Sequence, residues 1–348
     1  MDRKGTANLF EKIISHDNIS EAIDEACNTK KDRSDVRLIL DDKERYVQVL
    51  SSSFHISGNY HVIARADISS GKIRKLTIPP FYPDQIVQHS ISRVCEPFII
   101  RRFMPECCCS LKGRGTLYAS MLVRKAIRKG ARYFVKFDIR HYFESIDQKI
   151  LVSMMPKIFK DRKVVDCYSE IIHSVPNGIP IGNYTSQSLA NLYLTPLDRY
   201  VKETLKADYY VRYMDDFIIM GASKRKLKNM IIPIKSFVSE KLNLRTHDNE
   251  KVQQIAYRNH GSPIDFCGYR HYSDHTTIRR RIWKRLRRAL TREEKSRSPE
   301  RAKRISCYIG YMKHSDSRNI RERYGKTIGD SLSTMREKKG KIQYGKYS

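Results

Sequence analysis

The stretch Tyr209 to Met220, YYVRYMDDFIIM, constrains this chain more than any other. Two runs rich in β-branched and aromatic residues flank Asp215 and Asp216, the pattern of a β-hairpin with an acidic pair at its turn. A further acid ends a similar run, where Phe134-Val135-Lys136-Phe137 leads into Asp138. Carboxylates at strand ends among apolar side chains are costly unless something positive neutralises them. Mg2+ fits such a place, because it takes a few carboxylates together with substrate phosphates. Two such ions can activate a hydroxyl and stabilise a leaving oxygen in an in-line displacement, the chemistry of nucleotidyl transfer.

Charge points the same way. The 348 residues carry 67 Lys and Arg against 38 Asp and Glu, a net of +29. The natural partner of that excess is a polyanion, nucleic acid ahead of an acidic membrane surface. The excess is concentrated in residues 276–348, which hold 23 basic and 7 acidic side chains. The first segment of this tail sets Ile282, Leu286, Ala289 and Leu290 on one helical face. Around the rest stand Arg279, Arg280, Arg281, Lys284, Arg285, Arg287 and Arg288, the candidate nucleic-acid-binding residues. Such a helix can pack with one side and meet phosphates with the other.

No run approaches the roughly 18 apolar residues of a membrane span, and the N-terminus has no apolar signal core. A cytoplasmic protein without a membrane partner is the expectation. The eight cysteines show no Cys-x-x-Cys pair or zinc spacing, so reduced, buried thiols are expected.

The rest of the chain divides by pattern. Residues 1–45 read as a charged helical lead-in, with Leu9, Ile13, Ile14, Ile19, Ala22, Ile23 and Ala26 at helical spacings. Residues 61–66 and 73–78 read as strands joined by a turn at Ser69 to Lys72. Three prolines, Pro79, Pro80 and Pro83, then break the pattern before a helix that starts near Asp84. An amphipathic helix over 117–129 stops at Gly130, and strands alternate with helices from 132 to 272.

Taken together, these motifs resemble the reverse transcriptases. Tyr213-Met214-Asp215-Asp216 matches their YxDD signature, and Phe137-Asp138-Ile139 with Tyr142-Phe143 and Ser145-Ile146-Asp147 is similar to their first palm motif. Gly178 to Gln187, followed by Leu189-Ala190-Asn191, resembles the second. The likeness extends to Lys72-Ile73-Arg74-Lys75-Leu76, to Asp84-Gln85-Ile86-Val87-Gln88, and to Phe266-Cys267-Gly268-Tyr269, which is similar to the primer grip. It covers roughly residues 60–272 in the family's order.

The resemblance implies an α+β right-hand polymerase whose antiparallel palm sheet carries the catalytic aspartates. Its fingers would span 46–131, its palm 132–272 with part of the fingers inserted around 150–178, and a basic helical thumb 273–348. It implies metal ligation by Asp138, Asp215, Asp216 and the backbone carbonyl of Ile139, with two Mg2+ ions that Mn2+ could replace. Phe143 takes the steric-gate position that selects deoxynucleotides. Arg74, with Arg65 as a weaker candidate, would cover the incoming dNTP, Ile181 and Gly182 would line the nascent pair, and Lys251 would lie near the departing pyrophosphate. The tail segment Cys307 to His314 is similar to bacterial thumb helices, which read duplex shape and phosphates.

One departure narrows the subgroup. Many reverse transcriptases have Gln where this chain has Ile181. Ile181-Gly182 with Ser186-Gln187 is similar instead to the enzymes of diversity-generating retroelements. That likeness implies copying of an element-encoded template RNA into cDNA, low fidelity at template adenines, and a small basic accessory protein, oligomeric or not, as partner. Exchanging an amide for a branched alkyl group removes polar contacts on which selectivity can rest. Other activities, including target entry and priming, are expected from partners. A retron-type or phage-defence reverse transcriptase with a dedicated noncoding RNA shares most of these features. An inactive RNA-binding scaffold of the same fold does so too, but the three intact aspartates argue against it.

Overall fold

A four-stranded antiparallel sheet carries both acidic runs. In chain order the strands are β1 (His61–Ala66), β2 (Ile73–Ile78), β3 (Tyr133–Asp138), β4 (Tyr209–Tyr213), β5 (Asp216–Gly221), β6 (Gln253–Gln254), β7 (Ile264–Phe266), β8 (Tyr269–His271) and β9 (Thr276–Ile278). The central sheet has the order β4-β5-β3-β6. A computed structural model describes residues 5–66, 73–258 and 260–344, with Ala66, Arg74 and 336–344 described by backbone alone. The expected turn Ser69 to Lys72 lies outside the described residues, as does Lys72 of the fingers motif.

β5 reads as an almost unbroken apolar run because both faces of the sheet are covered. Val135, Phe137, Tyr210, Phe217 and Ile219 join the larger core, where the rings of Phe137 and Phe217 stack at 4.8 Å. Phe134, Val211, Ile218 and Met220 face the other way, into a second core with helix Thr116–Arg128 and Phe266. This alternation fixes the placement of the acids. Asp138 and Asp216 share the parity of Phe134 and Ile218, so they belong to the second face.

The lead-in forms helices Leu9–Ile13, His16–Cys27, Ser34–Asp41 and Lys43–Ser52, so helical structure continues past residue 45. Residues 46–52, placed with the fingers by sequence, therefore continue the helical lead-in. Ile19, Ala22, Ile23 and Ala26 are buried as their spacing requires, whereas Ile14 is half-buried. Helix His16–Cys27 packs on helix Ile86–Ile100, where Arg93 pairs with Glu21 and Glu25 and the Asn18 amide donates to the Ser90 carbonyl. β1 and β2 pair as expected. Their hairpin is anchored at its base by Asp84, whose buried carboxylate accepts from the Ser57 and Gly58 amides.

A third sheet, β7-β8-β9, runs past residue 272 to Ile278 and leads into helices Arg280–Lys295, Pro299–Lys313 and Arg318–Tyr344. Ile278, Leu286, Leu290, Ile305, Met312 and Tyr324 form the core of this tail. The cysteines are free; five are buried, Cys167 and Cys267 are half-buried, and Cys307 is exposed, contrary to the expectation for that residue. No described helix is long and apolar enough to cross a membrane.

Candidate active site

Register brings the acids together. Asp138 is the cross-strand partner of Asp216, and Asp216 also pairs with Tyr213 across the β4–β5 hairpin. Met214 and Asp215 form the turn between, with Met214 in the left-handed region at φ 56°. All three expected aspartates therefore gather at one end of the sheet. Lys136, two residues before Asp138 and on the same face, places Nζ 3.1 Å from Asp216 Oδ1. That oxygen is buried and accepts no hydrogen bond, so its need for positive charge is only partly met.

On the other edge of β3, the segment around Thr246 lies antiparallel to Ile139. The His247 amide donates to the Asp138 carbonyl at 3.0 Å, and the Arg140 amide donates to the Arg245 carbonyl at 2.8 Å. Both bonds come from the neighbours of Ile139, so its own N–H and C=O face away from that segment, on the side of β5. His247 Nε2 stands 3.9 Å from Asp138 Oδ2. Among the described residues no three His, Cys, Asp or Glu side chains converge as a ready-made metal cage. The donor set still suits Mg2+, which binds through one or two carboxylates and completes its shell with water and substrate phosphates. The Asp216 oxygen, met only by the Lys136 ammonium, and a carbonyl turned to the same side of β3 are groups that could join such a shell.

The remaining expected residues are carried by several different elements. Phe143 is half-buried on a helical turn, Tyr142–Ser145. Its carbonyl accepts from the Ile179 amide, and the Gly178 backbone lies so close that a Cβ there would meet this carbonyl oxygen at 2.1 Å. Ile181 is half-buried, and its carbonyl accepts from the Thr77 amide of β2 at 2.7 Å. Gly182 is needed beside it, since its φ is +124° and a Cβ would stand 2.9 Å from the Thr77 oxygen. Ser186 Oγ donates to the Pro180 carbonyl at 2.6 Å, and Gln187 accepts from Ser110 Oγ at 2.6 Å. These bonds fix the loop against both β2 and the palm.

Arg65 is exposed on β1 and lies opposite Arg74 of β2. The side chain of Arg74 lies outside the described part, so its contact with a nucleotide stays an expectation. Lys251 is exposed on the segment between Thr246, beside Ile139, and Gln253, beside Phe134. Phe266 and Tyr269 close the β7–β8 hairpin over Cys267 and Gly268, both at positive φ as a two-residue turn of this kind needs. The thumb sits on that turn: the Arg279 amide donates to the Gly268 carbonyl, and the rings of Tyr269 and Tyr311 lie 5.4 Å apart. Arg279 also pairs with Asp265, so it serves the joint between sheet and thumb rather than a free basic face. Arg280, Arg281, Lys284, Arg287 and Arg288 are exposed, and Arg285 is half-buried.

Sequence reasoning missed Lys136 and the buried Arg212, which lies three residues before Asp215. The signal for Arg212 was present, a charged residue inside the apolar run Tyr209 to Tyr213.

A sheet that presents acids at a hairpin turn, together with a separate β-hairpin and a basic helical unit, has the architecture of a right-hand polymerase. Residues 58–271 match the reverse transcriptase (RNA-dependent DNA polymerase) family, more than half of the chain, and the protein belongs to that family. Among curated relatives, the group II intron-encoded protein LtrA of Lactococcus lactis subsp. cremoris is 27% identical over 143 residues, covering 38% of this chain and 24% of that protein. The nuclear intron maturase 1 of Arabidopsis thaliana mitochondria is 26% identical over 100 residues, covering 28% and 14%. The chain thus spans about a quarter or less of the length of these relatives. In fold it is similar to telomerase from Candida tropicalis bound to a fragment of telomeric RNA, with a TM-score of 0.52, 12% identity, and coverage of 86% and 58%. Apo telomerase of the same organism gives 0.50 at 14% identity, covering 88% of this chain and 64% of that one.

Proposed function

We propose that this protein is an RNA-directed DNA polymerase that makes cDNA from an element-encoded template RNA, with the error-prone chemistry of a diversity-generating retroelement. The observation that carries the polymerase reading is the register that sets Asp138 beside Asp216 with Asp215 at the adjoining turn. Asp138, Asp215 and the Ile139 carbonyl would hold divalent metal, with Asp216 beside them. Bound there, two Mg2+ ions would supply charge neutralisation at the attacking and leaving oxygens.

The chain's own residues would do the positioning on which phosphoryl transfer depends. Arg65 and Arg74 are cross-strand partners on the β1–β2 hairpin, and their guanidinium groups would bind the incoming triphosphate through charge-assisted hydrogen bonds. Phe143, tied through its carbonyl to Ile179, would lie under the sugar and exclude a 2′-hydroxyl. The β7–β8 turn would hold the primer end, and the exposed cations of helix Arg280–Lys295 would follow the duplex backbone.

Support for the subgroup rests on Ile181. The loop is held by backbone and by Ser186 and Gln187, so an aliphatic side chain stands there without an amide to test base geometry. A small basic accessory protein and a cytoplasmic setting belong to the same reading. The test is primer extension on the RNA encoded beside the gene, with and without neighbouring small proteins, followed by cDNA sequencing. Errors concentrated at template adenines are the expected result. Accurate cDNA from one fixed start would contradict the subgroup and favour a retron or defence enzyme. No cDNA under any of these conditions would contradict the polymerase reading.

A further inference from the structure

We propose that Arg212 is a positioning residue for the acidic turn: clamped between Asp198 and Asn191 in the core, it holds the Met214 carbonyl and so sets where Asp215 and Asp216 stand. This inference rests on the polymerase reading above and extends it to a residue outside the reacting groups.

Arg212 is fully buried on β4, and all five of its guanidinium N–H groups find acceptors. Nε and Nη2 donate to the two carboxylate oxygens of Asp198 at 2.6 and 2.7 Å, a two-pronged pair with both side chains inaccessible to solvent. Nη2 also donates to the Asn191 carbonyl at 3.2 Å, and Nη1 to Asn191 Oδ1 at 3.0 Å. The last donor, on Nη1, reaches the Met214 carbonyl at 3.1 Å. Asp198 is held in turn by the Tyr210 hydroxyl at 2.7 Å, and Asn191 by the Cys109 carbonyl at 2.9 Å. The backbone of Arg212 exchanges bonds with Glu106 and Cys108, so the strand is fastened to the loop beneath it.

Two physical facts separate this arrangement from ordinary stabilisation. A buried ion pair contributes little net stability compared with apolar side chains of the same volume, so net stability is a weak reason for its presence. The residue it grips, Met214, holds a left-handed backbone that a side chain adopts only when its surroundings insist. Fixing that carbonyl fixes the turn, and the turn carries the acids. Lysine could not do the same, because its compact ammonium cannot meet both Asp198 oxygens in plane and still reach Met214.

The test compares Arg212→Lys, Asp198→Asn and the charge-free double variant Arg212→Met/Asp198→Leu with the parent. Val164→Ala, a cavity elsewhere in the core, serves as a control for lost stability. Thermal unfolding, primer–template affinity, dNTP KM, kcat and the Mg2+ concentration giving half-maximal rate are measured for each. Expected are folded variants with KM and primer–template affinity near the parent's, kcat lower by about tenfold or more, and a raised Mg2+ requirement. Val164→Ala should lose Tm without losing kcat. Arg212→Lys and the double variant retaining kcat and Mg2+ dependence within about twofold of the parent would overturn the proposal. So would unfolding of all three, which would make the cluster a stability element alone. A parent that extends no primer would overturn the polymerase reading instead, and the two failures are therefore distinguishable.

Discussion

Ile181 is bound to Thr77 through its carbonyl while its side chain stays half-buried, so a substitution changes side-chain chemistry without releasing the loop. Ile181→Gln is expected to lower misincorporation opposite template adenine, because a restored amide can test the nascent pair. Sequenced cDNA with an unchanged error spectrum would show that fidelity is set elsewhere. A second residue-scale expectation concerns pH. Burial, with a smaller contribution from Arg124, lowers the pKa of His271 to about 4, and burial with Lys30 does the same for His89. Both imidazoles are therefore neutral in the folded protein, whereas the unfolded chain takes up protons below its ordinary value near 6.5. The unfolded state binds more protons between these values, so stability is full above about pH 6.5 and is lost as pH falls towards 4. His271 accepts or shares a bond with Thr276 Oγ1 at Nδ1, while Nε2 is buried without a partner among the described residues. Thermal unfolding between pH 7 and 4 should show this acid limb, and His271→Gln should flatten it. An equally steep limb in the variant would contradict the assignment.

The β7–β8 turn is the element on which sheet and thumb meet. Gly268 has φ +88°, and a Cβ there would stand 2.5 Å from Tyr311 Cε1 and 3.2 Å from Ile282 Cδ1. Gly268→Ala is therefore expected to cost about 1–2 kcal/mol from the backbone alone, with more from displaced thumb side chains. Calorimetry and primer–template binding should both report the loss; a variant with parental Tm and affinity would contradict the close fit. Elements with a local signature were legible in the sequence. β1 and β2 alternate between turn residues, helix Thr116–Arg128 follows its apolar stripe to Gly130, and the acidic hairpin announces itself by composition. What escaped was non-local. Nothing near Arg212 in sequence reveals that Asp198 would meet it in the core, and nothing in Thr276–Ile278 tells that it completes a sheet begun at Ile264. The helix Lys43–Ser52 was cut short at residue 45 for a related reason, since Val47 and Leu50 declare a helical face only once the core that buries them is known.

Across the whole molecule, the gathered carboxylates and the exposed cations of the basic tail are carried by different elements. The acids gather at the end of one sheet, and exposed cations line helix Arg280–Lys295, which follows β9. Replacing Arg280, Lys284, Arg287 and Arg288 by Gln should weaken binding to every primer–template alike. It should also lower the slope of log affinity against log salt by about 0.7–0.9 for each phosphate that is no longer neutralised. An unchanged slope would remove this helix from the nucleic-acid path. The central claim, that the acids gathered by β3 and the β4–β5 turn carry out synthesis, is tested most directly by single-nucleotide incorporation. Asp215→Asn would be assayed beside the parent on a bound primer–template at saturating Mg2+, with affinity measured in the same samples. Incorporation lower by at least about a hundredfold with RNA affinity retained is the expected result. Synthesis by the variant near the parental rate would contradict the account.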